Sequence, residues 1–556
     1  LRATEILLIL PLLLLVQTSD FPARVSEGII NFCVVPPRPT SHPSLKQTQS
    51  SRSGQKRFRF SPRPPTAFPS LLRQTKIQLR QIDRKARQAL TRRVKQMVSP
   101  PSMPGSPAWL KPLPVPVNHR GQIASHPFEC MTLRCLCPFF KVIGLNGLCY
   151  LPSGKPLGLC YLPSGKPLSM AYRKEYRMLS DEERRRFHVA MNELKRQGIY
   201  RFFGTQHRRV ATGGAHSGPA FLPWHREFVK RLEIALRLLD PSLAVPYWDS
   251  VMDNYLPDPR DSIFFSMDNY LPDPRDSIFF SPMFAGDTDP NGYVVNGPFA
   301  FWRTLEGRAA ILRDDLGKDA QLFTERQLLA VANERNIWNV LSYTVPFRGC
   351  PIPTNFDALE YSHTNVHFWV GGDLATPEHF WVGGDLATPE LSANDPIFYM
   401  HHSFVDLIFE IWRQMHHSFV DLIFEIWRQM QQSRFLKISL RKTDLKSCAN
   451  EFHFSHSLMA PFNTLTNIDG LSNAYTDQLY RYALRPVCTR KRPTCDSRYL
   501  FCDLDHGVPY LFCDLDHGVP HCVSKVKLGG NCRGFEGKDA CFNGLCLFGL
   551  CQPGPT

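Results

Sequence analysis

A mainly α-helical fold, with a four-helix bundle at its centre and loop-rich surroundings, is what this 556-residue sequence predicts. Three observations carry that expectation. Four segments place apolar residues at helical spacing, between loops rich in Pro, Asp and Gly such as Leu256-Pro257-Asp258-Pro259. Six histidines fall into two triplets on or beside those segments: His207, His216 and His225, then His363, His367 and His402. Histidines facing inward from four helices fit a bundle with a metal centre in its core. After residue 487 the sequence turns Gly- and Cys-rich, which marks off a tail of different construction.

At the N-terminus, Glu5 is followed by an apolar run, Ile6 to Val16. It fits a signal-peptide core and is too short to span a bilayer. Residues 1–20 are assigned to this leader, whose initiating Met is missing because the chain begins at Leu1. Residues 21–128 are basic and rich in Pro and Ser. Between Asn31 and Asn118, 17 Lys and Arg stand against one acid, Asp83, so this stretch carries the net charge of +15 and the remainder is near neutral. That distribution argues against nucleic acid as a partner. The composition buries too little apolar area to fold alone, which predicts disorder. A basic pro-segment or surface-binding arm is the functional reading; a disordered leader or retained intronic sequence is the plainer one, and the favoured one. Within it, Leu71–Val98 has the pattern of a basic amphipathic helix, a hint of a membrane surface. No segment is long and apolar enough for stable membrane insertion.

Five adjacent identical duplications interrupt the chain. Gly147–Leu157 recurs as Gly158–Leu168, Met252–Ser266 as Met267–Ser281, and His367–Glu378 as His379–Glu390. Met400–Gln414 recurs as Met415–Gln429, and Tyr499–Pro509 as Tyr510–Pro520. A solenoid keeps one period and lets its copies diverge; these units do neither. They are read as exon edges counted twice, with the downstream His379, His416 and His417 as surplus. His417 lies fifteen residues beyond His402, about 22 Å along a continuous helix. The two cannot serve one site, and the upstream copy is expected to supply it.

Cys130, Cys135 and Cys137 open a Cys-rich lead-in over residues 129–168. Ser180-Asp181-Glu182-Glu183 matches a capping box and starts a helix running to about Gln197, with Phe187, Met191 and Leu194 as its apolar stripe. A second helix is expected from about His225 to Leu239, stopped by Asp240-Pro241. A third covers Phe356–His367, and a fourth starts near Asp395 and passes through Phe404, Leu407, Ile408 and Ile411. His207 and His216 precede the second helix in loop or fraying helix. His363 and His367, four apart, share one helix face, and His402 must come from another helix. Neutral imidazoles without thiolate or carboxylate partners suit copper or zinc. His188 is the rival to His207.

His216 is followed by four residues and then Phe221-Leu222-Pro223-Trp224-His225-Arg226, with Glu233 seven residues on. The second pattern is Asp395-Pro396-x-Phe398-Tyr399-x-x-His402-x-x-x-Asp406. These resemble the two copper signatures of the tyrosinase family of type-3 copper proteins, most closely its secreted invertebrate members. The resemblance covers roughly Cys130 to Pro486, and Tyr480-Arg481-Tyr482 resembles the tyrosine motif that closes the family's catalytic domain. It implies a binuclear copper domain over residues 169–487, with His207, His216 and His225 on one copper and His363, His367 and His402 on the other. Dioxygen and phenolic or catecholic small molecules, or protein tyrosines, are the implied partners. An o-quinone is the implied product, used in melanin formation or quinone tanning. The same site could carry dioxygen reversibly, as in hemocyanin domains; real duplications would instead make the product inactive.

Arg226, Glu233, Thr364, His401 and Asp406 stand close enough in these patterns to support the ligands. Asp406 is placed to orient His402 or pair with Arg226, or is a solvated helix charge; Glu233 is likewise supporting or exposed. Two departures matter. Gly214 stands where some members carry a cysteine thioether-linked to an imidazole. Thr364 stands where many monophenol-oxidising members carry Asn, with Asn365 one residue later, so diphenol oxidation is implied more firmly than hydroxylation.

The tail, residues 488–556, holds Cys488, Cys495, Cys502, Cys522, Cys532, Cys541, Cys546 and Cys551 once the copied Cys513 is set aside. An even set behind a secretory leader predicts a disulfide scaffold and a secreted protein, with pairings that sequence does not choose. Zinc held by Cys541, Cys546 and His521 is the competing reading. No Asn-x-Ser/Thr sequon is present.

Overall fold

The computed structural model describes residues 116–140, 162, 166–211, 213–256, 274–314, 316–317, 320–372, 383–418, 445–505 and 519–554. The leader, the basic segment up to residue 115 and the Leu71–Val98 helix lie outside them; the end of that segment, residues 116–128, is ordered against expectation, with Ala124 and Phe128 buried and the Phe128 carbonyl accepting from Lys230 at 3.0 Å.

The first helix, α1 (Asp181–Arg196), begins at the expected capping box: Ser180 Oγ accepts from Glu183 N at 3.2 Å, and Glu183 Oε2 accepts from Ser180 N at 2.9 Å. Phe187, Met191 and Leu194 are buried. Gly198, at φ 75°, turns the chain, and α2 (Ile199–Val210) starts at once. Of the two places left open for His207, loop or fraying helix, the chain takes the helical one: His207 sits in the last turn of α2, a full helix that the sequence did not mark out. Its aromatic residues and Gly204 have weak helix propensity, but burial of Tyr200 and Phe203 fixes the helix from outside. The helix after Gly198 therefore carries a site histidine, and α1 carries none.

Helix α3 (Phe221–Leu239) starts four residues before His225, with Pro223 in its first turn, where the missing N–H costs nothing. Nearly every residue of it is buried, including Arg226, Glu227, Lys230 and Glu233. The charged face is therefore interior and paired: Glu227 holds Lys230 at 2.9 Å and Arg231 at 2.6 Å. Helix α4 (Glu325–Asn333) carries a Thr324/Gln327 capping box. Helices α5 (Leu359–Gly371) and α6 (Ile397–Ser418) come next along the chain. Strands β1 (Ala171–Arg173) and β2 (Tyr480–Tyr482) pair in parallel, so the start and end of this helical body meet.

In the third duplication the two copies meet: Gly384 N donates to Gly371 O at 2.6 Å. His367 of the upstream copy reaches the site as expected, and its Nδ1 faces the carbonyl of Leu386 in the downstream copy at 2.8 Å. In the second duplication Ser277 Oγ donates to Asp253 Oδ1, again one residue from each copy. Helix α6 runs past Gln414 into the second copy. His379 and the side chains of His416 and His417 lie outside the described residues.

In the tail, β3 (Leu500–Asp503) pairs with β4 (His521–Ser524), and β5 (Gly544–Leu547) with β6 (Leu550–Pro553), both antiparallel. Its eight cysteines pair as Cys488–Cys502, Cys495–Cys522, Cys532–Cys546 and Cys541–Cys551. This overturns the zinc alternative, since Cys541 and Cys546 are both consumed in disulfides. The tail packs on the body: the Tyr499 hydroxyl donates to Asp181 at 2.6 Å, and Lys527 reaches Asp287 at 2.7 Å. Cys130–Cys135 and Cys350–Cys448 are further disulfides. Among the described residues no helix is long and apolar enough to cross a membrane.

Candidate metal centre

Helices α2, α3, α5 and α6 and one loop deliver six buried or half-buried imidazoles to one place. His207 comes from the last turn of α2, His216 from the loop after it, and His225 from the first turns of α3. Their ligand nitrogens lie within 4.8 Å of one another, and the same is true of His363, His367 and His402. Nε2 of His225 is 3.4 Å from Nε2 of His207; in the second triad, Nε2 of His402 is 3.2 Å from that of His363 and 3.3 Å from that of His367. His225 and His402 stack across the two triads. Phe221 lies 4.8 Å from His225 and 4.6 Å from His363; Phe398 lies 4.8 Å from His207 and 4.2 Å from His402. Two phenyl rings thus wall both triads.

The donor set fits metal. Nδ1 of His216, His225, His363 and His367 faces the carbonyls of Ala211, Phe221, Glu360 and Leu386 at 3.2, 3.0, 3.0 and 2.8 Å. Those bonds place the proton on Nδ1 and turn the Nε2 lone pairs inward. Burial pushes all six imidazoles down, His216 to about 3 and His367 to about 4, so none is charged at neutral pH. Converging neutral lone pairs repel unless a cation lies between them.

Around the triads the other predicted residues take definite places. His188 is no ligand: it meets the Tyr176 hydroxyl, with burial pushing it to about 3. His401 stacks on His363 (5.1 Å, 8°), and its Nε2 faces the His363 carbonyl at 3.2 Å. Thr364 Oγ1 donates to the Glu360 carbonyl at 2.8 Å, back along its own helix. Asp406 pairs with Arg226 at 3.2 Å and accepts from the Tyr480 and Tyr482 hydroxyls at 2.6 and 2.7 Å. Both tyrosines of the motif therefore turn their hydroxyls inward. Glu233 is buried against Arg173 at 2.8 Å.

Three residues went unnoticed in the sequence. Arg173 joins Glu233, Asp406 and Tyr482, with its guanidinium 3.5 Å over the Tyr480 ring. No local pattern marks it, since its partners are far along the chain. Glu360 accepts from Ser217 N and from Thr344 Oγ1, and burial raises its carboxyl to about 7. Its spacing, one helical turn before His363, was the available signal. His453 lies against Gly218, with no signal in sequence.

A helical body holding two facing three-imidazole sites defines the class: a protein built for a pair of metal ions. Residues 197–415 match the family described as the common central domain of tyrosinase. Tyrosinase-like protein tyr-3 of Caenorhabditis elegans is 40% identical over 434 residues, which is 78% of this chain and 52% of the relative. A tyrosinase of Streptomyces antibioticus is 32% identical over 251 residues, 40% of this chain and 76% of that one. A solved polyphenol oxidase variant from Thermothelomyces thermophila is 17% identical, covers 58% of this chain and 90% of its own, and superposes with a TM-score of 0.40. The chain belongs to the tyrosinase family, whose members imply a binuclear copper centre. It spans about half the length of the C. elegans relative.

Proposed function

We propose that this protein is a secreted copper-dependent oxidoreductase that uses dioxygen to convert catechols, and less readily phenols, to o-quinones. His207, His216 and His225 would hold one copper, and His363, His367 and His402 the other. The observation that carries the reading is the convergence of six neutral imidazoles, in two triads, on one buried place. When bound, the two coppers would supply two-electron chemistry, so that two catechols in turn lose two electrons and two protons each while one dioxygen is reduced to two waters.

The chain's own residues supply the rest. Phe221 and Phe398 pack against both triads. Backbone carbonyls fix the tautomers of His216, His225, His363 and His367. The Thr364 hydroxyl is engaged by the Glu360 carbonyl. Its proton is therefore not offered toward a phenol, which supports diphenols as the better substrates.

Residues 169–487 form the copper domain in this reading, after a lead-in at 129–168, and residues 488–556 a disulfide-stapled brace. Six disulfides among described cysteines favour an oxidising compartment. The product class suits melanin formation or quinone tanning. The test is copper content with catechol turnover on the purified chain. Two coppers per chain with rapid quinone formation is expected; copper uptake with dioxygen binding and little oxidation would make it a carrier.

A further inference from the structure

His216 is the one candidate ligand carried by a loop, and the structure shows what holds that loop. Residue Ser217 adopts φ 75°, a left-handed conformation unusual for a non-glycine residue. Its N–H is satisfied by the buried Glu360 carboxylate. On the loop's other side lies the short turn Asn450–Phe454. A Cβ at Gly214 would stand 2.5 Å from the Phe452 carbonyl oxygen, and one at Gly218 would stand 3.0 Å from Nδ1 of His453. Both glycines are therefore in direct contact with that turn, one on each side of His216.

The turn is itself rigidly held. Asn467 Nδ2 donates to the carbonyls of Phe452 and Phe454 at 2.7 and 2.8 Å, and Asn450 caps the Phe452 N–H at 3.0 Å. The Cys350–Cys448 disulfide anchors the chain just upstream. His453 is buried, yet its Nδ1 has no hydrogen-bond partner among the described residues. A buried polar atom without a partner is costly. The ring is kept for where its volume stands, against the backbone of the His216 loop.

We propose that Asn450–Phe454 is the clamp that sets the position of His216, with His453 as its positioning residue, so that packing and not a covalent link to the imidazole fixes this ligand. Glycine at 214 is required by the same contact: the Phe452 carbonyl occupies the space that a side chain there would need. The inference rests on the copper reading of the triads.

The experiment tracks copper loss from the loaded full chain after addition of excess EDTA, by metal analysis over time, alongside thermal melting. His453→Ala should release one of its two coppers about 10-fold faster than the unmodified chain, with the second unchanged, since loss of a ligand's support typically costs 10–100-fold in metal affinity. His453→Phe restores ring volume without nitrogens and should return release to the original rate. Gly214→Ala should reproduce the single fast copper by pushing the Phe452 carbonyl away, and it serves alone if His453→Ala does not fold. Unchanged release in His453→Ala, equal acceleration of both coppers, or no rescue by a folded His453→Phe would each overturn the clamp. An unmodified chain that takes up fewer than two coppers overturns the underlying copper reading, and does so before any substitution is made.

Discussion

His225 and His402 stack face to face, with ring centroids 4.1 Å apart and planes 9° from parallel. One belongs to each triad, on α3 and α6. The two triads are therefore not independent: each presents an imidazole wall to the other, and moving either helix would shift both sets of nitrogens.

Loss of either stacked ligand should accordingly be felt by both metals. His225→Ala removes one nitrogen from the first triad and the stacking partner of His402 from the second. Copper content should fall to one per chain or below, with catechol oxidation down by about 100-fold or more. His402→Ala should do the same from the other side. Stoichiometric zinc in the unmodified protein, with no copper, would end this interpretation.

Substrate preference is expected to turn on Thr364. Its hydroxyl is tied to the Glu360 carbonyl at 2.8 Å. Thr364→Asn extends an amide beyond that bond and should raise the ratio of monophenol to diphenol rates, measured as oxygen uptake on paired substrates. Efficient tyrosine hydroxylation by the unmodified protein would show that another residue governs the choice.

The Arg173 network should be costly to break. Arg173 is fully buried between Glu233 and Asp406. Arg173→Met leaves two buried carboxylates short of a cation, which typically destabilises by about 3–5 kcal/mol. Urea denaturation reads the loss. A change under about 1 kcal/mol would mean that Arg226 alone satisfies Asp406.

Acid should weaken the metal-free protein through histidines away from the centre. Burial first, and Arg184 second, push His188 from 6.5 to about 3. The folded state therefore refuses a proton that the unfolded chain accepts below pH 6.5. Its contribution is intact above that pH and is lost as pH falls toward 3. At pH 5 the loss is about 2 kcal/mol for this residue, at 1.36 kcal/mol per pH unit. His188→Phe should show a smaller fall in Tm between pH 7 and pH 5 than the unmodified chain. An identical fall would assign the effect elsewhere.

What the sequence disclosed divides along physical lines. The Ser180 cap, the α5 pair His363 and His367, and the Asp395 start of α6 rest on contacts within a turn or two, which spacing encodes directly. Helix α2 was missed because its aromatic, glycine-containing sequence is helical only through tertiary packing. Glu233 of α3 stayed open between a supporting and an exposed place because its partner, Arg173 (2.8 Å), lies far along the chain. Arg173 and His453 were invisible for the same reason. The meeting of His367 with Leu386 of the downstream copy was equally hidden, because identical sequences hold no record of which copy packs where.

Strands β1 and β2 lie side by side in the same direction, with Ala171 opposite Tyr480 and Arg173 opposite Tyr482. The stretch bearing all six histidines is thus a cassette whose entry and exit adjoin. Chain added before the entry, or beyond the tail, need not pull on the imidazoles between them. Relatives can then differ greatly in overall length while this segment keeps its shape, and the C. elegans protein, of which this chain spans 52%, has the length to carry such additions.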